Sequence, residues 1–220
     1  MIRRRILVAA ALVWLAPAMA FGAPMANGKH DLSSGSTGPN KSNSQTQLCV
    51  FCHTPHNSQP AVARPLWNHS LTAQTLTWSP TTTVRGTTIP TTYATAALAG
   101  SQACMSCHDG TLALGALING SGGTVSPVSG TNVVAGKLVA GVNFINPAAM
   151  QSNHPVGVQK PSVATTGLTG FKAVPTGNAV NYDANGYVQC DSCHNPHETG
   201  TNMLKIDNSG SQICITCHDL

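Results

Sequence analysis

Apolar residues form one long run at the start of the chain, from Ile6 to about Ala16, and later segments have little helical or strand periodicity. Arg3, Arg4 and Arg5 precede this run, and the small residues Ala18-Met19-Ala20 follow it. The run is too short to span a bilayer, and these flanks are typical of a secretory signal peptide. We therefore predict a signal peptide over residues 1–20, cleaved after Ala20, and an exported chain without a stable membrane span.

The remaining pattern predicts little regular structure. Residues 23–48 are rich in Ser, Gly and Asn and are expected to be extended, and the Thr-rich residues 71–95 favour loops or short strands. A turn is expected at Gly120–Gly123, where it could join two halves of the chain, and a hairpin around Asn185-Gly186. Such a chain would struggle to build an ordinary apolar core from its side chains alone.

Charge changes this picture only slightly. Charged residues make up 8% of the sequence, and the three leader arginines leave 8 Lys and Arg against 7 Asp and Glu. A mature chain near neutrality has no basic surface for nucleic acid, so that partner class is not expected.

The cysteines carry the chemistry. All eight fall into CxxC pairs, and a histidine follows each pair: Cys49, Cys52 and His53; Cys104, Cys107 and His108; Cys190, Cys193 and His194; Cys214, Cys217 and His218. Disulfides would not require those histidines, and zinc sites use the same residue types without requiring this order. CxxCH is the attachment signature of c-type haem, so the sequence predicts four covalently bound haems. In each motif the two thiols share a helical face and the histidine is the proximal iron ligand.

Five histidines remain to serve as distal ligands of four irons. The chain repeats one arrangement twice, a free histidine followed by CxxCHxPH and then by CxxCHD. This duplication selects four of them: His30, His56, His154 and His197. A proline precedes His56 and also His197, and its restriction of the backbone turns each imidazole towards a neighbouring haem.

His69 is left over by that count but remains a second candidate beside His30. His30 lies close enough to the mature terminus to bind an iron of its own chain or of another subunit. Methionine is the competing type of ligand, although none of the mature methionines recurs at a motif-like offset: Met25, Met105, Met150 and Met203.

Several segments resemble the doubled CxxCH-motif family of multihaem cytochromes: Lys29–Ser34, Cys49–Ser58, Pro65–Ser70, Cys104–Gly115, Asn153–Gly157 and Val188–His197. The chain is also similar to extracellular tetrahaem cytochromes that polymerise into conductive filaments. That resemblance implies a homopolymer in which His30 or His69 is donated to an iron of the next subunit. The resemblance also makes PLWNHS a family motif, so His69 within it stays a candidate ligand.

The predicted fold class is a low-regularity multihaem cytochrome c, mostly loops with short CxxCH helices and a few short strands around a haem chain. Residues 21–150 would form a first dihaem half and residues 151–220 a second.

The predicted function is electron transfer along closely packed bis-histidine haems, with redox proteins or extracellular acceptors as partners in the periplasm or outside the cell. A filament subunit and a soluble periplasmic shuttle remain alternatives within this function. An enzyme, a small multihaem reductase with one open iron, is the rival of another class, and a zinc-binding structural protein is a further one.

Overall fold

A computed structural model of the chain describes residues 25–60, 64–73, 100–120, 128–139, 153–158, 172 and 179–219. The predicted signal peptide, Met150 and most of the Thr-rich segment lie outside these residues, as does all but the first residue of the predicted Gly120–Gly123 turn. Within the described ranges, no helix has the length and apolar character needed to cross a membrane.

A small antiparallel sheet is the main regular element of the first half. Its four strands follow chain order: β1 (Asn40–Ser42), β2 (Val128–Gly130), β3 (Val133–Val134) and β4 (Lys137–Leu138). Asn40 pairs with Gly130 and Ser42 with Val128, which places β1 beside a strand almost ninety residues away in sequence. Part of the segment expected to be merely extended is therefore the first strand of this sheet.

The β3–β4 hairpin closes through Ala135 and Gly136, which both have positive φ (49° and 77°). This two-residue turn matches the right-handed twist of the strands. A tight turn also lies at the predicted hairpin position, where the Asp183 N–H donates to the Tyr187 carbonyl at 2.9 Å and Gly186 has a φ of 80°.

The sheet covers a small apolar core made by Phe51, Leu114, Val128 and Leu138. Cys52 and Cys107 pack against this cluster, although they belong to different CxxCH motifs. This apolar cluster thus lies directly beside two of the predicted haem-attachment residues.

Helices are short, and every CxxCH motif begins in one. The α-helices are α1 (Gln102–His108), α2 (Cys190–Cys193) and α3 (Gln212–Ile215), and the first motif begins in a 3₁₀ helix, Cys49–Phe51. Two more 3₁₀ helices, Thr201–Met203 and Ser209–Ser211, complete the helical elements of the described residues. The expectation of a fold low in regular structure, with short motif helices and a few short strands, is confirmed.

The first and third motifs share one local backbone pattern. The Thr54 N–H donates to the Leu66 carbonyl, and the Asn195 N–H donates to the Met203 carbonyl, both at 2.8 Å. His53 forms a single antiparallel bridge with Trp67, and His194 forms the same bridge with Leu204. Two sequences with little identity outside the motif are therefore folded alike around each CxxCHxPH.

The similarity between the first and third motifs extends to their backbone torsion angles. Leu66 and Met203, which occupy equivalent positions after the two motifs, both adopt the left-handed region, with φ of 57° and 54°. Non-glycine residues are uncommon there, so this shared conformation reflects a constraint of the motif rather than of either side chain.

Gly130 is the position where the sheet depends most on the absence of a side chain. A Cβ there would lie 2.1 Å from the Pro39 carbonyl oxygen and 2.5 Å from Asn40 Oδ1. We predict that Gly130→Ala destabilises the protein by about 1–3 kcal/mol, because β1 and β2 would have to separate. Denaturant unfolding followed by circular dichroism measures the change.

Gly35→Ala is the matched control, since a Cβ at Gly35 meets no atom within 4 Å. Equal unfolding free energies for the two variants would contradict the β1–β2 pairing.

Candidate haem-binding site

Each CxxCH motif closes one helical turn that places its histidine over its first cysteine. The backbone N–H of the histidine donates to the first cysteine's carbonyl in three motifs: His53 to Cys49 at 2.8 Å, His194 to Cys190 at 3.1 Å and His218 to Cys214 at 2.9 Å. In the second motif α1 continues through His108. The sequence expectation of a thiol pair and a histidine on one turn is met at all four motifs.

All eight cysteines are free thiols. The disulfide framework that an exported chain with eight cysteines could form is therefore not present, and each motif keeps both thiols for attachment. In the part of the chain that the structure describes, no group of three or more His, Cys, Asp or Glu side chains is arranged to hold a metal ion.

Burial suppresses the ionisation of the inner thiols. It raises the pKa of Cys52 to about 12, with Cys107 and Cys49 adding to the shift, and burial with Asp109 raises the pKa of Cys107 to about 12. A thiol is far less nucleophilic than its thiolate. These two cysteines are therefore poorly reactive once the chain has folded around them.

Backbone carbonyls fix the tautomer of several histidines. His53 Nδ1 lies 3.0 Å from the Pro65 carbonyl oxygen, His194 Nδ1 2.8 Å from that of Asn202, and His154 Nδ1 2.8 Å from that of Pro155. Because a carbonyl can only accept, Nδ1 must carry the proton in each case. Nε2 then has a free lone pair, as a metal-binding histidine requires.

Three of the four CxxCH histidines each face a second imidazole. The ring centroids are 6.0 Å apart for His30 and His108, 6.2 Å for His53 and His197, and 6.1 Å for His154 and His218. Imidazole nitrogen binds a transition metal at about 2 Å, so two rings on opposite sides of one iron have centroids about 6 Å apart. All three separations match that requirement.

The pairs connect parts of the chain that are distant in sequence. His197 belongs to the third motif yet faces His53 of the first, so a histidine that follows one attachment site faces the proximal ligand of another. The predicted role of His197 as a ligand of a neighbouring haem stays a prediction.

His30 is held in place from the second half. Its Nδ1 lies 3.4 Å from the Pro196 carbonyl oxygen, and burial, with a further contribution from His108, lowers its pKa to about 4. The ring is therefore neutral near pH 7, which is the form that coordinates a metal. Its partner His108 lies in the same chain.

His56 is exposed, and its backbone is fixed by an asparagine that the sequence analysis did not identify. Its carbonyl oxygen accepts from Asn119 Nδ2 and from Thr54 Oγ1, each at 3.0 Å. Asn119 is in turn held by buried Asn68, whose Oδ1 accepts from the Asn119 N–H at 2.8 Å. Asn68 lies within the PLWNHS segment, and its position there is the only sequence signal for this pair.

His69 is placed differently from the other four spare histidines. It is fully buried, its Nδ1 lies 3.1 Å from the Ser70 carbonyl oxygen, and its Nε2 has no hydrogen-bond partner among the described residues. Burial lowers its pKa, which keeps the ring neutral. The predicted donation of His69 to another subunit stays a prediction.

Trp67 packs beside His53 but cannot serve as an iron ligand. Its ring centroid lies 6.1 Å from that of His53 at an interplanar angle of 89°, and its indole nitrogen donates to Ser106 Oγ at 3.3 Å. Indole nitrogen is a donor only and has no lone pair for iron.

An open cavity at the first motif tests the fit of a haem. It has a volume of about 430 Å³ and is lined by Gln47, Leu48, Cys49, Val50, His53, Thr54, Pro55 and Leu66. This volume lies in the range of cofactor sites, and a thiol and an imidazole with mostly apolar neighbours are what a c-type haem needs. Leu66, 47% exposed, would be covered by the bound macrocycle.

Contacts join neighbouring motifs. Cys52 of the first motif and Cys107 of the second pack against the same apolar cluster. Between the halves, the Cys190 N–H of the third motif donates at 3.0 Å to Ser101 Oγ, three residues before Cys104 of the second motif. These contacts connect the first motif to the second and the second to the third.

The comparison with protein families agrees with this geometry over the end of the chain. Residues 184–220 match the family described as the doubled CXXCH motif. No curated protein matches the chain. The matched segment contains the third and fourth motifs and indicates covalently bound haem c. It supports a relation to multihaem c-type cytochromes and suggests electron transfer rather than catalysis.

Proposed function

We propose that the protein is an exported tetrahaem c-type cytochrome that passes electrons along four bis-histidine haems. The observation that carries this proposal is the pairing of His108, His53 and His218 with a second imidazole at about 6 Å, the separation that one iron between them requires. Each pair brings together a CxxCH histidine with one of the histidines that the duplication selects.

The fourth iron, on His194, takes its distal ligand from His56. His53 faces His197, and the first and third motifs share their surrounding hydrogen bonds, so the same relation applied in reverse directs His56 to His194. Asn119 and Thr54 hold the His56 backbone for this role. In this assignment His69 is not needed as a distal ligand, although its Nε2 has no hydrogen-bond partner among the described residues.

Two imidazoles saturate each iron, which leaves no position for a substrate. Electron transfer needs no open position, whereas nitrite, peroxide or oxygen chemistry does. The alternative of a reductase would need one iron without a distal histidine.

Export and assembly form a separate part of the proposal. The leader supports export to the periplasm or beyond. His30 faces His108 within one chain and His69 is fully buried, so neither supports the donation of a histidine to another subunit. An assembly of subunits, if formed, would then be held by surface contacts. Redox partner proteins or extracellular acceptors would receive the electrons.

The number of haems is tested by mass. We expect the purified protein to be heavier than its mature polypeptide by four haems, because all eight thiols are free and lie in CxxCH turns. Cys104→Ala with Cys107→Ala should remove one haem. A mature chain with its unmodified polypeptide mass, or a colourless one that contains zinc, would exclude the proposal.

The ligand set is tested by removing one distal histidine at a time, which leaves one iron five-coordinate. His30→Ala, His154→Ala and His197→Ala should each convert one haem in four to a five-coordinate, high-spin form that binds carbon monoxide when reduced. His56→Ala should do the same. Ferric absorption spectra and carbon monoxide titration give the number of open haems.

His69→Gln is the control for those variants, since it keeps a buried polar side chain while removing the imidazole. It should leave all four haems low-spin. An opened iron in His69→Gln, together with none in His30→Ala, would reverse their assigned roles.

A further inference from the structure

A ten-residue run occurs twice, and its two copies are placed differently. Residues 100–109 read GSQACMSCHD and residues 210–219 read GSQICITCHD. Ser101 is fully buried, whereas the equivalent Ser211 is exposed and has a φ of 61°. Ser101, in the first copy, is therefore covered by another part of the chain, whereas Ser211 is not.

That partner is Gln189, the residue before the third motif. Ser101 Oγ donates to Gln189 Oε1 at 2.7 Å, and the Ser101 N–H donates to the same oxygen at 3.1 Å. The Cys190 N–H donates back to Ser101 Oγ at 3.0 Å. These bonds join the residues that precede α1 and α2, which are almost ninety positions apart.

Further contacts surround this group, which we call the Ser101–Gln189 clamp. Gln189 Nε2 donates to Asp183 Oδ2 at 2.8 Å. Arg64 forms an ion pair with Asp191 at 2.6 Å and reaches the Gly100 carbonyl oxygen at 3.4 Å. Because Ser101 and Gln189 are at most 1% exposed, their polar atoms would be costly to bury without these partners.

Gly100 lets the two segments approach. A Cβ at Gly100 would lie 2.9 Å from Gln189 Cγ and 3.1 Å from Arg64 Nη2. Gln189 is held at both ends of its amide and cannot move away without breaking a hydrogen bond. A side chain at position 100 would therefore force the two helix starts apart.

The clamp fixes the approach of two proposed haem sites. Cys104, the first cysteine of the second motif, lies three residues after Ser101, and the N–H of Cys190, the first cysteine of the third motif, donates to Ser101 Oγ at 3.0 Å. A thioether forms at the macrocycle's edge, so the clamp brings the attachment edges of two haems close together.

We propose that Ser101 and Gln189 are positioning residues that set the crossing point for electrons between the two halves, where the second and third motifs begin. This inference rests on the proposed function. With haem bound as proposed, His108 and His194 would hold the irons on the two sides of this point, and the haems would supply a one-electron exchange in which one iron is oxidised as the other is reduced. No bond forms or breaks, no proton moves, and the direction follows the potentials.

The experiment compares two clamp variants with two controls, all in the haem-loaded full-length protein. Ser101→Ala removes the bridging hydroxyl, and Gly100→Ala forces the helix starts apart while keeping every hydrogen-bonding group. Ser211→Ala makes the same change in the exposed copy of the run. Gly200→Ala is the second control, since a Cβ there meets no atom within 4 Å.

Two measurements report the approach of the haems: the split Soret signal in circular dichroism, and the rate of electron equilibration after flash photoreduction. Both clamp variants should lose part of the split signal and equilibrate more slowly than the unaltered protein. Both controls should match it. Haem content and the low-spin spectrum should be the same in all five proteins.

A clamp variant that carries four low-spin haems and keeps both the split signal and the rate would overturn the inference. If Ser101→Ala fails to load haem, Gly100→Ala decides the question, since it removes no polar group. Failure of the proposed function is recognised separately, because the unaltered protein would then lack four low-spin haems.

Discussion

In the proposed account, a requirement for two imidazoles on each iron organises this molecule. A CxxCH turn supplies two thioethers and one axial ligand from five consecutive residues, but the opposite ligand must come from elsewhere in the chain. His30 reaches the second motif from the amino-terminal segment, and His197 reaches the first motif from the third. In this account, metal coordination connects segments that share few side-chain contacts.

The polypeptide contributes a small core of its own. In the described residues the main apolar cluster contains Phe51, Leu114, Val128 and Leu138, and two attachment cysteines border it. Burial keeps Cys52 and Cys107 protonated in the folded chain, so attachment is expected to precede final packing. Four large apolar macrocycles would supply the remaining interior, which couples folding to the cofactor as in other small metal-dependent domains.

The sequence was most informative where chemistry restricts spacing. CxxCH predicted the short turns, because two thiols and an imidazole must meet one macrocycle, and the duplication selected His30, His154 and His197, each of which faces a proximal histidine. It could not assign His197 to His53, because that pairing depends on how the halves pack. The β1–β2 pairing was missed for the same reason, since a three-residue strand without alternation leaves no signal.

The sequence also contained no sign of the polar residues that support the site. Gln189 and Asn119 each bind atoms distant in sequence, and neither has a motif of its own. Ser101 could have been found by comparing the two GSQ runs, but only the structure distinguishes the buried copy from the exposed one. Four motif turns thus follow from local chemistry, whereas their arrangement follows from buried polar contacts.

The central claim is that all four irons are held by two histidines of the same chain. Near-infrared magnetic circular dichroism of the fully ferric protein, at a concentration where it is monomeric, tests this most directly because it distinguishes the axial ligands. The account predicts four low-spin haems per chain, all with bis-imidazole signatures. A high-spin haem, or one with a histidine–methionine signature, would contradict it.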